Sequence, residues 1–366
     1  MRPSLLRRAL STTPAPVGAV DVHTHCYLPR YMDMLRARAE VPRVVVAGGE
    51  DRLIILPGED EEGSTAAGRP IGTEYSDPAR KLAFMDTHGI DVSVLSLANP
   101  WLDFLNAGEA VELATALNAD MEEQCAASGG RFYGFGVIPV QDVDASCREL
   151  ERLAAQDHMR GIILSTHGLG DGLDDPRLLP IFQTVERLGQ VVFLHPHYGV
   201  GVEHFGGYGH ALFLALGFTF ETTTAVSRLI CSGMLDKVPE LKLLLAHSGG
   251  TLPFLAGRLD SCVGGDPHLE GKLKRKPSEY LKNMYFDSLV YHTPALECSK
   301  QLVGDDRLMF GTDHPFFPPK VDDPATMDTT LWKSTTSNLD ILEVDPSRDA
   351  MRATNAHRLL NIKPLR

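Results

Sequence analysis

Val20-Asp21-Val22-His23-Thr24-His25 places two imidazoles two positions apart at the end of a short apolar run. In an extended chain that spacing turns both side chains to one side, where together they can grip a single ion. Three more polar residues stand where apolar runs stop: His195 after Val191–Leu194, His247 after Leu243–Ala246, and Asp313 after Leu308–Thr312. Buried ionisable groups are costly unless paired or metal-bound, so five of them at run ends argue for a site rather than for core. Three histidines and one carboxylate suit a borderline divalent ion, Zn2+ first and Mn2+ second, with a position left open for water or substrate. The expected ligands are His23, His25, His195 and Asp313. His247 is then the free acid or base beside the ion. The run Gly161–Ser165 holds no lysine that could be carbamylated to bridge two metals, so one ion per chain is expected.

The apolar runs themselves are the elements that must position these residues. They are Ala19–His23, Asp91–Leu97, Phe132–Ile138, Gly161–Ser165, Val191–His195, Leu241–His247, Met284–Asp287 and Arg307–Gly311. They are nearly all apolar rather than alternating, as parallel strands covered on both faces are. Amphipathic stretches such as Ala110–Ser128 and Leu178–Leu188 lie between them. Eight such strands with intervening helices predict an α/β fold, a single (β/α)8 TIM-type barrel whose strand ends converge on one face. A doubly wound sheet is the competing fold, but no GxGxxG follows the first run. Residues 40–77 interrupt the repeat. There Arg43–Val46 and Leu53–Leu56 flank Gly48-Gly49-Glu50-Asp51 as a hairpin, and an acidic, Gly-rich loop follows. Pro318–Asp323 reads as a loop beyond the last strand. His88, beside Gly89, reads as a cation at a helix end. His197 and His314, next to expected ligands, are candidate partners of those ligands.

The 366 residues carry 35 Lys+Arg against 48 Asp+Glu, a net charge of −13, which disfavours nucleic-acid binding. The longest apolar run falls short of the roughly 18 residues that a membrane span needs. Six scattered cysteines, with no CxxC pair, imply reduced thiols inside a cell. Residues 1–18, with Arg2, Arg7 and Arg8 and no acid, read as a disordered tail or a mitochondrial transit-like segment ahead of a barrel spanning 19–366. The compartment stays open between cytoplasm and mitochondrion.

HxH after the first strand, His195 in VVFLHPHYG, His247 in AHSGG and Asp313 in GTDHP together resemble the amidohydrolase superfamily. More narrowly, they resemble its metal-dependent decarboxylases, related to aminocarboxymuconate-semialdehyde and γ-resorcylate decarboxylases. VSVLSLANPWLDF (92–104), RGIILSTHGLGDGLDDPRLLPIF (160–182), LLLAHSGGTLPFLAGRLDSC (243–262) and RLMFGTDHPFFPP (307–319) are similar to isoorotate (uracil-5-carboxylate) decarboxylases. The resemblance implies zinc on His23, His25, His195 and Asp313, no organic cofactor, and catalysis by His247 and Asp313. It also implies substrate contacts from Arg69, Asn99 and Phe316. Arg258 matches an arginine that reaches a neighbouring subunit's site, which implies a homodimer. Near Gly72 the chain lacks a substrate-binding arginine of the aminocarboxymuconate enzymes and leaves Arg69 as the anion partner. The implied activity is a carboxy-lyase reaction on a small cyclic carboxylate, isoorotate to uracil and CO2, with neither nucleic acid nor membrane as partner. Aminocarboxymuconate-semialdehyde or resorcylate-type decarboxylation, a one-metal lactone or amide hydrolase, and a non-catalytic metal-stabilised interaction protein are the alternatives.

Overall fold

The computed structural model describes residues 18–55, 59, 68–319 and 331–365. The Arg-rich N-terminal segment before Gly18 and residues 320–323 of the expected late loop lie outside these. Elements run β1 (Ala19–Cys26), α1 (Pro29–Ala37), β2 (Arg43–Ala47), β3 (Glu50–Ile54), β4 (Arg69–Pro70), α2 (Pro78–His88), β5 (Ile90–Leu97), α3 (Ala107–Ala126), β6 (Phe132–Gly136), α4 (Val143–Ala154) and β7 (Met159–Ser165). They continue through α5 (Leu179–Leu188), β8 (Val191–His195), α6 (Phe218–Cys231), β9 (Lys242–Leu245), α7 (Leu252–Gly264), α8 (Pro277–Leu281), β10 (Tyr285–Asp287), α9 (Thr293–Val303), β11 (Leu308–Met309), α10 (Lys333–Glu343) and α11 (Asn355–Leu360). Eight parallel strands pair in the order β1-β5-β6-β7-β8-β9-β10-β11, with helices between, and form a (β/α)8 barrel.

Every residue of β1, β6 and β8 is buried. The interior face of β8 carries Phe193 and, two residues on, His195. Phe193 packs on Phe135 with ring centres 5.5 Å apart, and His23 sits 4.9 Å above it. An apolar plug thus floors the ligand cluster. Helix starts follow local chemistry: the Asp77, Asn106 and Asp142 side chains accept from the backbone N–H of Ala79, Glu109 and Ala145.

Some bounds differ from expectation for visible reasons. β6 stops at Gly136 because the Asn118 side chain takes both backbone groups of Val137, each at 2.8 Å. β11 is only two residues long because Phe310 donates its N–H to Met351 O. The hairpin between α1 and α2 turns on Gly48-Gly49 alone, with φ 64° and 85°, as a two-residue turn with two left-handed positions needs. Glu50 and Asp51, expected in that turn, belong to β3, and β4 adds a third strand.

The barrel closes where β1 meets the chain after β11. Val22 N–H donates to Phe310 O, His25 N–H to His314 O, and the Thr312 and Asp313 N–H groups to His23 O. Gly311 is required there, because a Cβ at that position would come within 2.8 Å of the His23 Cβ. No helix among the described residues is long and apolar enough to cross a membrane.

Candidate metal centre

His23 and His25 leave the end of β1, His195 ends β8, and Asp313 follows β11. One ligand atom from each lies within 4.8 Å of the others, and all four residues are buried. His23 Nε2 and His25 Nε2 are 3.0 Å apart, and each is 3.3 Å from Asp313 Oδ1.

The other ring nitrogens decide what these atoms can do. His23 Nδ1 lies 2.6 Å from Asp287 Oδ2 and His195 Nδ1 lies 2.7 Å from Pro196 O, so both Nδ1 atoms donate. His25 Nδ1 meets Ser96 Oγ at 2.9 Å, and that hydroxyl donates onward to Thr24 O, so it accepts from His25. Each ring therefore turns an Nε2 lone pair inward. His195 Nε2 is buried with no hydrogen-bond partner. Three converging lone pairs and a carboxylate oxygen repel one another unless a cation lies among them, so the residues fit a divalent ion. The two carboxylates draw positive charge into this cluster. Burial opposes charge on His23, yet Asp287 and Asp313 outweigh it and push its pKa up to about 10. Burial, with His23 adding to it, brings His25 down to about 4 although Asp313 pulls the other way. Asp313, despite burial, is held well below the usual carboxylate range by His23, His247 and His25. It also adopts φ 57°, a left-handed conformation costly for a non-glycine residue.

His247 is beside this set rather than in it. Its Nε2 is 3.7 Å from Asp313 Oδ2, whereas His23 and His25 pair with Oδ1, and its Nδ1 is buried and unpartnered. Its position depends on Asp287, a residue that received no role from sequence. Asp287 Oδ2 accepts from His23 Nδ1 and from His247 N–H at 2.8 Å, while Oδ1 accepts from Ser248 N–H at 2.7 Å and Leu289 N–H at 3.1 Å. The signal was available: Asp287 ends an apolar run, as the five chosen residues do. Asp287→Asn would set an amide NH2 against these donors. Its expected effect is a 10- to 100-fold weaker metal affinity, read by chelator competition.

Three of the four expected substrate residues lie close together beside His25, and of these Phe316 lines the cavity. Arg69, on β4, donates to Tyr27 Oη at 2.5 Å and lays its guanidinium 4.6 Å over the Phe316 ring. Phe316 in turn stands edge-on to His25 at 5.5 Å. Tyr27 donates to Asn99 O, and the Asn99 side chain meets His197 Nδ1 at 3.2 Å. Asn99 Oδ1 is buried and unpartnered. Arg258 is not brought there: it lies exposed on α7. A cavity of about 810 Å³ opens over His195, His247 and Asp313, walled by Phe218, Leu289 and Tyr291.

His88 is corrected. It is buried, not a solvated cap: its Nδ1 donates to Phe84 O and its Nε2 accepts from Trp332 N–H, and burial lowers its pKa. His314 holds no metal ligand's ring. It stacks on Phe84, with Trp332 close by, and accepts from buried Lys81. Burial lowers the Lys81 pKa to about 8 against the pull of Asp21.

Comparison with known proteins settles the lineage. The family description Amidohydrolase matches residues 20–362. The chain belongs to the amidohydrolase family. Among its amidohydrolase relatives, 2-amino-3-carboxymuconate-6-semialdehyde decarboxylase of Dictyostelium discoideum is 32% identical over 68% of this chain and 69% of that protein. γ-Resorcylate decarboxylase of Rhizobium sp. is 30% identical over 77% of this chain and 86% of its own length. The apo crystal structure of Metarhizium anisopliae IDCase superposes with TM-score 0.89 and 40% identity, covering 94% of this chain and 97% of that one. 5-Carboxyvanillate decarboxylase of Sphingomonas paucimobilis gives TM-score 0.76 at 27% identity, over 95% and 100%. This amidohydrolase is an enzyme, a carboxy-lyase.

Proposed function

We propose that the protein catalyses metal-dependent, non-oxidative decarboxylation of a cyclic carboxylic acid, and that the acid is isoorotate, which yields uracil and CO2. The observation that carries this reading is Asp313, whose Oδ1 belongs to the ligand set while its Oδ2 faces His247 at the cavity floor. Breaking a ring–carboxylate bond without first protonating the ring carbon leaves a carbanion. The site needs a proton donor beside a cation, and this pair supplies one. His23, His25, His195 and Asp313 would hold a divalent ion, zinc on the donor set, and that ion would supply Lewis-acid stabilisation of the negative charge that develops on the substrate.

The protein's own groups do the rest. The proton comes from His247 and reaches C5 across the 3.7 Å contact by way of Asp313 Oδ2. The C5–carboxylate bond then breaks, its electron pair returns to the ring and CO2 leaves. Asn99 Oδ1, lacking a partner, accepts from a ring N–H. Phe316 packs the ring, and Arg69 offers its fork to an anionic oxygen. Arg69→Ala is expected to raise KM about 10- to 100-fold at unchanged metal content, the value of a charge-assisted bond. We further assign exposed Arg258 to the mouth of a neighbouring copy in a homodimer, on its motif alone.

The likeness to IDCase over nearly the whole chain supports the pyrimidine substrate. A phenolic acid of the γ-resorcylate kind is the second reading, on the 30% identity to that decarboxylase. Metal-loaded enzyme incubated with isoorotate should release equimolar uracil and CO2. Turnover of γ-resorcylate, or of a lactone, with no uracil formed would overturn the assignment. Metal analysis of the same preparation distinguishes zinc from manganese.

A further inference from the structure

Three of the four metal ligands straddle the line where the barrel closes: His23 and His25 on β1, Asp313 beyond β11. β11 contributes only two residues to the sheet, and beyond it four backbone bonds join β1 to the irregular chain that carries Asp313. Asp313 is flanked by two residues that are tied down independently. On its N-terminal side, Thr312 donates to buried Asp21 through its N–H at 3.1 Å and its hydroxyl at 2.7 Å. On its C-terminal side, His314 is held by Lys81, which reaches in from α2 and is 3% exposed. The Lys81 ammonium donates to Thr24 Oγ1 at 2.7 Å and His25 O at 3.1 Å on one side of the closure. On the other side it donates to His314 Nδ1, with His314 O 3.3 Å away. Thr24 Oγ1 spans the same line, donating to His314 O at 3.0 Å. No direct carboxylate contact to the ammonium is present among the described residues. Burying a charge that way is expensive, so what the ammonium gains is the bridge itself.

We propose that Lys81 is a positioning residue for the metal centre. It fastens the carboxyl end of β1 to the turn after β11, and so fixes the distance between the His25 and Asp313 ligands. A backbone held at φ 57° at Asp313 needs its neighbours anchored, and Lys81 is the anchor on one side as Asp21 is on the other. The inference rests on reading these four residues as a metal centre, but not on the substrate.

The test uses full-length protein, stripped of metal and titrated with Co2+. Lys81→Met is expected to bind Co2+ 10- to 100-fold more weakly and to shift the visible absorption bands that report ligand geometry. Thr24→Val, which deletes one acceptor of Lys81 and changes little volume, should move both readouts in the same direction by less. An unchanged affinity and spectrum in folded Lys81→Met would overturn the proposal. If Lys81→Met does not fold, an unchanged affinity and spectrum in Thr24→Val overturns it instead. Failure of the wild-type chain to bind Co2+ would sink the metal reading itself, which separates the two failures.

Discussion

His247→Ala is expected to retain its metal and to lose about 10²- to 10⁴-fold in kcat, the usual contribution of a positioned acid–base group. The ligand atoms of His23, His25, His195 and Asp313 do not include His247, and its link to the cluster is the 3.7 Å contact to Asp313 Oδ2. Its backbone N–H still reaches Asp287 after truncation, so the loop should hold. His247 adopts φ 53°, so His247→Asn is a useful companion: asparagine tolerates this region better than most residues. Both variants should show the same metal-to-protein ratio as the parent and the same loss of turnover. An emptied site in both would mean that His247 is a ligand and that the division between ligand and acid is wrong.

His23→Ala is expected to lose metal and activity together. His23 is the hub: its Nε2 faces the ion and its Nδ1 is fully buried against Asp287. Deleting it leaves two buried carboxylates, Asp287 and Asp313, short of a counter-charge. Breaking a buried pair from one side costs about 3–5 kcal/mol, so the melting temperature should fall as well. The measurement is metal content by elemental analysis beside a thermal melt. A variant that kept stoichiometric metal would show that three ligands suffice and that His23 serves the scaffold instead.

Sequence carried the barrel and its metal centre far because each is written locally. A parallel strand covered on both faces is a run of apolar residues, and a ligand at its carboxyl end is the first polar residue after that run. His195 and Asp313 are legible by this rule alone. What escaped is whatever depends on a partner brought by the fold. Asp287 lies 264 residues from the imidazole it orients. His88 looks solvated beside Gly89 until Trp332, 244 residues away, covers it. Lys81 sits on a helix whose pattern gives no hint that its ammonium passes inward to β1. Arg69 was legible as a candidate anion partner, but its place over Phe316 depends on β4, a two-residue strand that no periodicity signals.

The closure between β1 and β11 also dictates when this centre can exist. Thr24 and His314, which face each other across it, are 290 residues apart in the chain. Joining such distant segments is slow, because loop-closure entropy must be spent before any contact rewards it. During synthesis the His23–His25 pair leaves the ribosome first and must wait for Asp313. At about 5–20 residues per second that delay is tens of seconds. Until the last strand docks, the chain can offer an ion only His23, His25 and later His195, with no Asp313 carboxylate to complete the set. Metal capture therefore comes late in biogenesis, and it rewards the completed chain over every shorter intermediate.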